Sequence, residues 1–303
     1  MALMNMAKRL LNRLPAPEVK QGSTIWFFRR DRMAIISLAF IISLSALAIF
    51  APWVTPYPDQ GRGEPNILQK LQTPSLTHPM GTDSLGRDVL ARILFGARTS
   101  LVAGFIIVGA AVLIGTISGA VAGYFGGWID EVIMRVTDIF LAFPPLLLAM
   151  TVAAVLEPSL KNAILAITLT WWPWYTRLAR AQTLSVRERD YVKAAHGMGV
   201  KNFTIILRHI VPNIITPILV QGTLDLGAAI ITVSSLSFLG LGVPPPTAEW
   251  GAMVREGREY IQIGKWWIPS FPGLALFLTT MAFNLLGDSI QVVTNPKTRG
   301  ETL

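Results

Sequence analysis

RERDYVKAAHGMGVKNFTIILRHIVPN, residues 187–213, is a polar and basic stretch that separates two long apolar runs of the chain. Good helix formers between residues 190 and 198 predict a short helix. Three residues of this helix share one side: Val192, Ala195 and Met198. Gly199 is expected to end it, because glycine tolerates the left-handed backbone that a helix end often needs. The stretch therefore predicts a short helix between two membrane-crossing segments.

A second periodic pattern follows this glycine. Apolar residues recur at i, i+3, i+4 and i+7, namely Phe203, Ile206, Leu207 and Ile210. This spacing predicts a second, amphipathic helix. Pro212 lies where a further helix would start, at a position that needs no amide hydrogen.

The first helix also carries small residues. Ala194, Ala195 and Gly199 are expected to give it a nearly flat face, which suits insertion into a groove on another protein. The residues alone leave a second interpretation open, in which this is an ordinary loop helix lying on the membrane surface.

The composition of the 303-residue chain indicates a membrane protein. Hydrophobic residues make up 52% and charged residues only 15%, whereas roughly a quarter of the residues are charged in soluble domains. The chain has no cysteine, and its three histidines are too far apart for a metal site. A formal net charge of +8 is compatible with nucleic-acid binding, but in a membrane protein the location of the charges matters more than their sum.

Six mostly apolar segments are long enough to cross a bilayer core of about 30 Å. They are residues 33–53, 99–129, 139–156, 162–184, 212–239 and 266–286. Pro144 and Pro145 predict a kink or break in the third segment. In the second, Gly115, Gly119 and Gly123 recur at four-residue spacing with Gly127. They favour close helix packing, with a substrate groove as the alternative.

The distribution of basic residues orients these segments. Of the 26 lysines and arginines, 17 fall in the segments expected inside, so the positive-inside rule predicts six spans with both termini cytoplasmic. This layout also accounts for the basic excess without a nucleic-acid partner. The predicted organisation is a cytoplasmic tail (1–32), a first transmembrane helix (33–53), an extracytoplasmic loop (54–98), a five-helix core (99–291) with a cytoplasmic loop (185–212), and a cytoplasmic tail (292–303).

Three further motifs lie outside the 185–212 loop. GTDSLGRD at residues 81–88 is not a phosphate-binding loop, because no Gly-Lys-Ser/Thr follows it. Asp83 or Ser84 is expected to cap a helix that starts near Leu85 and lies along the membrane surface. The other two motifs are GLGVPPPTAEWG at 240–251 and FNLLGD at 283–288.

These motifs, in this order, resemble the permease subunits of ABC importers, in the branch that transports dipeptides, oligopeptides and nickel. Ala194-Ala195, Gly199 and Pro212 are similar to the EAA loop of that family, although Lys193 replaces its glutamate. The resemblance implies an all-α integral membrane protein with six transmembrane helices and the type I ABC importer permease fold. It also implies a coupling helix that docks on the ATPase through five residues: Lys193, Ala194, Ala195, Gly199 and Phe203.

The resemblance further implies partners and a location. These are a second permease subunit, two ATPase subunits that bind ATP and magnesium, and an extracytoplasmic peptide-binding protein, in the plasma (inner) membrane. Glu249 and Trp250 are candidate contacts of the binding protein. The chain itself is expected to hold no cofactor or metal and to have no catalytic residues, since no catalytic motif is present.

Two further features are candidates for the transport pathway. Asp225 lies in the middle of the fifth apolar segment, where a carboxylate either forms structural hydrogen bonds or faces a wet pathway. Trp171, Trp172 and Trp174 crowd around Pro173 in the fourth segment, and they either form an interfacial aromatic belt or line the path, for which Trp171 and Trp174 are the candidates. The alternatives to a peptide importer are the same machine for nickel, glutathione or another small solute and, from a different class, an ion-coupled secondary transporter.

Overall fold

The computed structural model describes residues 31–294, and regular secondary structure in that range is helical apart from one β-bridge between Thr82 and Asp88. The expected tails lie almost entirely outside the described residues. Twelve α-helices are labelled in chain order: α1 (Arg32–Ile49), α2 (Ala51–Val54), α3 (Pro58–Arg62), α4 (Val89–Phe125), α5 (Gly127–Leu141), α6 (Pro145–Val155), α7 (Leu160–Arg187), α8 (Asp190–Gly197), α9 (Asn202–Ile205), α10 (Val211–Phe238), α11 (Trp250–Gly257) and α12 (Trp267–Thr294).

Four helical runs are long and apolar enough to cross a membrane: α1, α4, the run Asn202–Phe238 and α12. The bent pair α5 and α6 adds a fifth if it counts as one broken span. α7 corresponds to the predicted fourth segment and has 28 residues, but it includes basic side chains such as Arg177 and Arg180. α4 and α7 pack against each other more extensively than any other pair. The all-helical membrane architecture expected from the sequence is therefore present.

Glycines hold α4 close to α7. A Cβ atom added to Gly115 would lie 2.3 Å from the Cβ of Tyr175, and one added to Gly119 would lie 2.4 Å from the Thr176 carbonyl oxygen. A Cβ atom added to Gly123 would lie 2.8 Å from the Cβ of Thr183. The packing interpretation is confirmed for these three glycines, and the groove interpretation is wrong for them because α7 fills the space. Gly127, the fourth glycine of the pattern, does not share this contact, because it begins α5 and an added Cβ would have no atom within 4 Å.

The predicted break at the two prolines is also present. α5 ends at Leu141, α6 begins at Pro145, and their axes differ by 84°. Two ion pairs join α5, the helix before this bend, to α7. Arg180 donates to both oxygens of Asp130 at 2.5 and 2.6 Å, and Arg177 donates to Asp138 at 2.6 Å.

The start of α4 differs from the expectation of a separate surface helix beginning near Leu85. α4 begins at Val89 and runs without interruption to Phe125, and its N-cap is Asp88, which accepts from the Ala91 amide at 2.7 Å. Asp83 cannot cap the helix because its carboxylate is used in the turn before it, where one oxygen accepts from the Leu85 and Arg87 amides. Residues 81–88 are therefore a folded turn.

The opposite ends of the chain's described part are joined by one carboxylate. Asp31 caps α1 by accepting from the amides of Met33 and Ala34, and its second oxygen accepts from Ser289 Oγ of α12 at 2.5 Å. The hydrogen bond from Ser289 is the main reason that the pKa of Asp31 is lowered. This contact fixes α1 beside α12.

Candidate functional site

The 185–212 loop is held against the helix bundle by one side of α8. Val192 is 2% exposed and Ala195 is 4% exposed, and both belong to an apolar cluster that includes Ile205, Ile206 and Ile210. The expectation that Val192 and Ala195 share a side is confirmed. Met198 was expected beside them, but it is 78% exposed, because it is the C-cap of α8 and lies past the packed turn.

The five residues expected to form the docking surface do not all face outward. Lys193, Ala194, Gly199 and Phe203 are exposed, whereas Ala195 is buried. The expected flat face of Ala194, Ala195 and Gly199 is therefore wrong for Ala195. Its side chain is small because α8 packs closely on the segment that follows it, not because an outside partner covers it.

Gly199 ends α8 as the sequence predicted. Its φ is +77°, in the left-handed region that favours glycine, and an added Cβ would have no atom within 4 Å. The amide of Val200 then donates to the carbonyl of Ala195 at 3.1 Å, which closes the helix end. Glycine is required here for its backbone conformation, and the surface around it is open.

The expected second helix is the first part of a longer one. α9 continues through a π-helical segment, Ile206–Ile210, into α10, so that the whole run extends from Asn202 to Phe238. The amide of Val211 donates to the Ile206 carbonyl, five residues back. Pro212 has no amide to donate, so the α-helical pattern cannot be complete at this point. The loop is thereby joined directly to a membrane-crossing helix.

The exposed face of α8 carries one loose ion pair. Lys193 Nζ lies 3.0 Å from Glu188 Oε2, and the two side chains are 58% and 62% exposed. The hydrogen bond from Lys193 is the main cause of a lowered pKa for the Glu188 carboxyl. Because solvent screens such a pair, it adds little to the stability of the fold.

A groove of about 390 Å³ lies between the end of α4 and α8. Its lining includes Tyr124 and Phe125 of α4, Arg187 of α7, and Lys193 and His196 of α8. Two contacts join the end of α4 to the elements around it.

The first contact joins Tyr124 Oη to Asn202 Oδ1 at 2.8 Å, with the phenol donating. In the second, Arg187 Nη1 donates to the carbonyls of Gly123 and Tyr124 at 3.2 and 2.9 Å. A basic side chain satisfies the last carbonyls of α4 in this way. Sequence reasoning missed both contacts, although an arginine near a helix end was an available signal for the second.

Asp225 is connected to two neutral donors. Tyr175 Oη donates to one carboxylate oxygen at 2.5 Å, and Gln221 Nε2 donates to the other at 3.0 Å. Tyr175 comes from α7 and is completely buried, whereas Gln221 and Asp225 are partly exposed on α10. The Tyr175 contact could not be predicted from the sequence, because Tyr175 lies 50 residues away from Asp225 along the chain.

The two candidate pathway tryptophans occupy different surroundings. Trp171 is partly buried and packs against apolar clusters formed by α4, α7 and α10. Trp174 is 55% exposed on α7. The hydrogen-bonded neighbours of Asp225 do not include either of them within the described part of the chain.

Glu249 and Trp250 were expected to contact a binding protein, and the structure contradicts this because both are completely buried. Glu249 caps α11 by accepting from the Ala252 amide at 2.9 Å, and it also accepts from Ser100 and Ser234 hydroxyls at 3.2 and 2.7 Å. Trp250 Nε1 donates to the Ile93 carbonyl at 3.0 Å. The two residues fasten α11 to α4 and α10.

The charged residues of the GTDSLGRD motif belong to a buried ionic cluster. Arg87 and Arg92 donate to one oxygen of Asp83 at 2.7 and 2.9 Å and to one oxygen of Glu256 at 2.8 and 2.6 Å. Both arginine side chains are 1% exposed. Asp88 adds a hydrogen bond to His78 at 2.9 Å. These residues join the turn, α4 and α11, and among residues 31–294 no group of acidic and histidine side chains is placed to hold a metal ion.

The helix bundle, its membrane-crossing runs and the exposed loop define a helical membrane permease. A model of the family described as "Binding-protein-dependent transport system inner membrane component" matches residues 111–300, and one for the N-terminal transmembrane domain of oligopeptide transport permease C matches residues 22–74. The chain belongs to this family of inner-membrane transport components, and it is a multi-pass permease subunit of an ABC importer.

Several relatives align with most of the chain. A dipeptide transport system permease protein of Alkalihalophilus pseudofirmus is 44% identical and covers 89% of this chain and 87% of its own length. A probable D,D-dipeptide transport system permease protein of Escherichia coli is 41% identical, with 91% and 92% covered. A glutathione transport system permease protein of Shigella sonnei is 42% identical, with 99% and 100% covered.

A solved structure shares the fold. It is titled for inward-facing conformations of the MetNI methionine ABC transporter, and one of its chains matches with a TM-score of 0.53 and 17% sequence identity. The match covers 68% of this chain and 98% of that one. It supports the type I importer architecture expected from the sequence.

Proposed function

We propose that this chain is the non-catalytic transmembrane subunit of an ATP-driven importer of short peptides and forms half of the translocation path. The observation that carries the proposal is the arrangement of the 185–212 loop. One side of α8 is packed into the bundle through Val192 and Ala195, while Lys193, Ala194 and Gly199 remain open to a partner.

The proposed complex contains a second, related permease subunit, two ATPase subunits that bind ATP and magnesium, and an extracytoplasmic peptide-binding protein. The 185–212 loop and both termini lie on the cytoplasmic side, as the distribution of basic residues favours. The description of the matching family, which depends on a binding protein, supports the general partner types.

In the proposed mechanism, closure of the ATPase subunits moves α8. The movement passes through the Val192 and Ala195 contacts to the start of the Asn202–Phe238 run, and through Arg187 to the end of α4. The spans then rock between inward-facing and outward-facing states. Such a cycle needs only that ATP and the loaded binding protein have different affinities for the two states.

The proposed substrate class follows from the relatives, whose names specify a dipeptide, a D,D-dipeptide and glutathione. All three are small peptides, so a short peptide is the best supported substrate. Nickel and other small solutes remain the alternatives that the sequence left open, and substrate competition during uptake distinguishes them.

The test of the proposal is Gly199→Glu in vesicles that contain the assembled complex. A charged side chain at this open position obstructs the docking partner, and the left-handed backbone disfavours any side chain. Peptide uptake is expected to fall steeply, with ATPase subunits lost or hydrolysing without transport, while the permease stays in the membrane.

Phe203→Ala is the matched comparison within the same loop, since Phe203 is 71% exposed and its truncation introduces neither charge nor backbone strain. We expect a milder loss of uptake. If the Gly199→Glu complex showed normal, tightly coupled uptake, this loop would not be the coupling element.

A further inference from the structure

Asp225 lies near the middle of a helix that is long and apolar enough to cross a membrane, a position where a carboxylate is costly. It lies about halfway along α10 (Val211–Phe238), on the order of 20 Å from either end of that helix at 1.5 Å per residue. A carboxylate at membrane depth normally faces the protein interior or a water-filled cavity, and it normally has a partner.

The partners that Asp225 has within residues 31–294 are both neutral. Tyr175 and Gln221 each donate one hydrogen bond, to different oxygens, and no lysine, arginine or histidine in that range forms an ion pair with the carboxylate. Because each carboxylate oxygen can accept more than one hydrogen bond, acceptor capacity is left over. The two hydrogen bonds therefore orient the carboxylate group, and no cationic side chain in this range balances its charge.

The surroundings of Asp225 also hold the carboxylate in one place. Tyr175 is completely buried between α4 and α10, where Gly115 gives it room, so its hydroxyl reaches Asp225 from a rigid position. Gln221 lies one turn earlier on the same helix and reaches the other oxygen. A carboxylate fixed from two sides is preorganised to bind a third group on its open side.

That open side is more polar than a lipid-facing surface. Gln221, Asp225, Ala228 and Thr232 follow helical spacing along one edge of α10, and each is partly or fully exposed. α10 also exposes apolar side chains outside this row, such as Leu219 and Ile231. The exposed large side chains along the span of α4 are apolar, and they include Val102, Phe105, Ile106, Leu113, Ile114 and Ile117. The α10 edge is therefore suited to a wet path and the α4 face to lipid or to another apolar helix surface.

We infer that Asp225 binds the ammonium group of the transported peptide, an inference that rests on the function proposed above. A free peptide amino terminus supplies a positive charge and N–H donors, which match a carboxylate with spare acceptor capacity. Tyr175 and Gln221 are positioning residues, since they orient the carboxylate through hydrogen bonds. Both donors are neutral, so they do not supply the positive charge that the peptide ammonium group brings.

The experiment measures binding of radiolabelled L-alanyl-L-alanine and its N-acetyl derivative to the purified permease and ATPase complex without binding protein. Omitting the binding protein removes its own selection of peptides. The wild-type complex is expected to bind the free peptide more tightly than the acetylated one. Asp225→Asn should weaken binding of the free peptide on the order of tenfold to a hundredfold, the effect of losing one charged contact, and leave the acetylated peptide unchanged.

Two further variants separate binding from structure. Asp225→Glu keeps the charge and should retain part of the preference for the free amino terminus. Tyr175→Phe keeps the carboxylate and removes one orienting hydrogen bond, so its loss should be smaller than that of Asp225→Asn. Subunit content is measured for each preparation.

The outcomes that overturn the inference are equally specific. If Asp225→Asn binds the free peptide as wild type does, the carboxylate does not hold the ammonium group. If it weakens both peptides equally and the complex loses subunits, the partner of Asp225 is a cationic group of another chain. Failure of the wild-type complex to import the free peptide with binding protein and ATP would instead reject the proposed function.

Discussion

Basic residues at the two ends of the helix bundle are held in opposite ways. On the 185–212 loop, Lys193 meets Glu188 at 3.0 Å, and both side chains are more than half exposed. At the other end, Arg87 and Arg92 are 1% exposed and share the carboxylates of Asp83 and Glu256. The first arrangement leaves charge available to a partner, and the second uses it within the chain.

The comparison shows that burial, not composition, separates a docking surface from a structural element. Both regions contain family motifs with charged residues next to glycine, and both were candidate contact sites from the sequence. The loop keeps Ala194 and Gly199 on the outside, although Ala195 is buried. At the other end Glu249 and Trp250 are 0% exposed, so any partner that docks there must contact other side chains.

The largest expected effect comes from breaking the buried cluster with Asp83→Asn. The amide keeps the shape and can still accept from the backbone, but Arg87 and Arg92 lose one of their two shared counter-charges and keep only Glu256. Removing one partner of a buried ion pair costs about 3 kcal/mol or more. The measurement is the thermal unfolding midpoint of the purified complex in detergent.

Arg258→Ala is the matched control for this variant. Arg258 lies 3.8 Å from Glu259, and their side chains are 57% and 81% exposed, so the change should cost within about 0.5 kcal/mol. Equal shifts in the midpoint for Asp83→Asn and Arg258→Ala would show that the buried cluster is no more stabilising than a surface pair.

An intermediate effect is expected at the end of α8, where two glycines provide an internal comparison. Gly199→Ala places a side chain at φ +77°, which costs on the order of 1 kcal/mol, although no atom lies within 4 Å. Gly197→Ala also meets open space, but it lies within the helix, where alanine is favoured over glycine.

Peptide uptake by equal amounts of assembled complex should therefore fall several-fold for Gly199→Ala and stay at the wild-type level or above it for Gly197→Ala. If the two variants transported equally, the left-handed turn would have no part in coupling. A loss confined to Gly197→Ala would place the docking contact on the helix itself.

The features predicted correctly from the sequence are those decided by neighbouring residues. The break at Pro144 follows from missing amide hydrogens, the close contact at Gly115 and Gly119 follows from small side chains at helical spacing, and the left-handed turn at Gly199 follows from its helix-ending position. Each is a local property of the backbone, so a single sequence is sufficient to recognise it.

The features that could not be predicted depend on residues far apart in the chain. Glu249 is buried because Ser100 and Ser234 supply hydroxyl donors, and Ser100 lies 149 residues away from it. Ala195 is turned inward because α8 packs on residues 205–210. Helical periodicity identifies two sides of a helix, but it does not say which of two neighbouring alanines, Ala194 or Ala195, meets the bundle.

The smallest effect is expected for Lys193→Ala, which tests whether the exposed loop docks through shape or through charge. The Lys193 pair with Glu188 is solvent-screened, so its loss should change the free energy of unfolding very little. Its contribution is present above the ordinary pKa of a glutamate and is lost as the pH falls through the lowered pKa of Glu188. By the resemblance of this loop to the EAA loop, Lys193 stands in place of that loop's glutamate, so we do not expect a fixed charge contact with the ATPase here. We therefore expect near-normal uptake at neutral pH and low ionic strength, measured beside Gly199→Ala at equal complex content. A fall in uptake greater than that of Gly199→Ala, reversed by an acidic-to-neutral change on the ATPase surface, would show that charge and not backbone shape dominates docking at this end of the bundle.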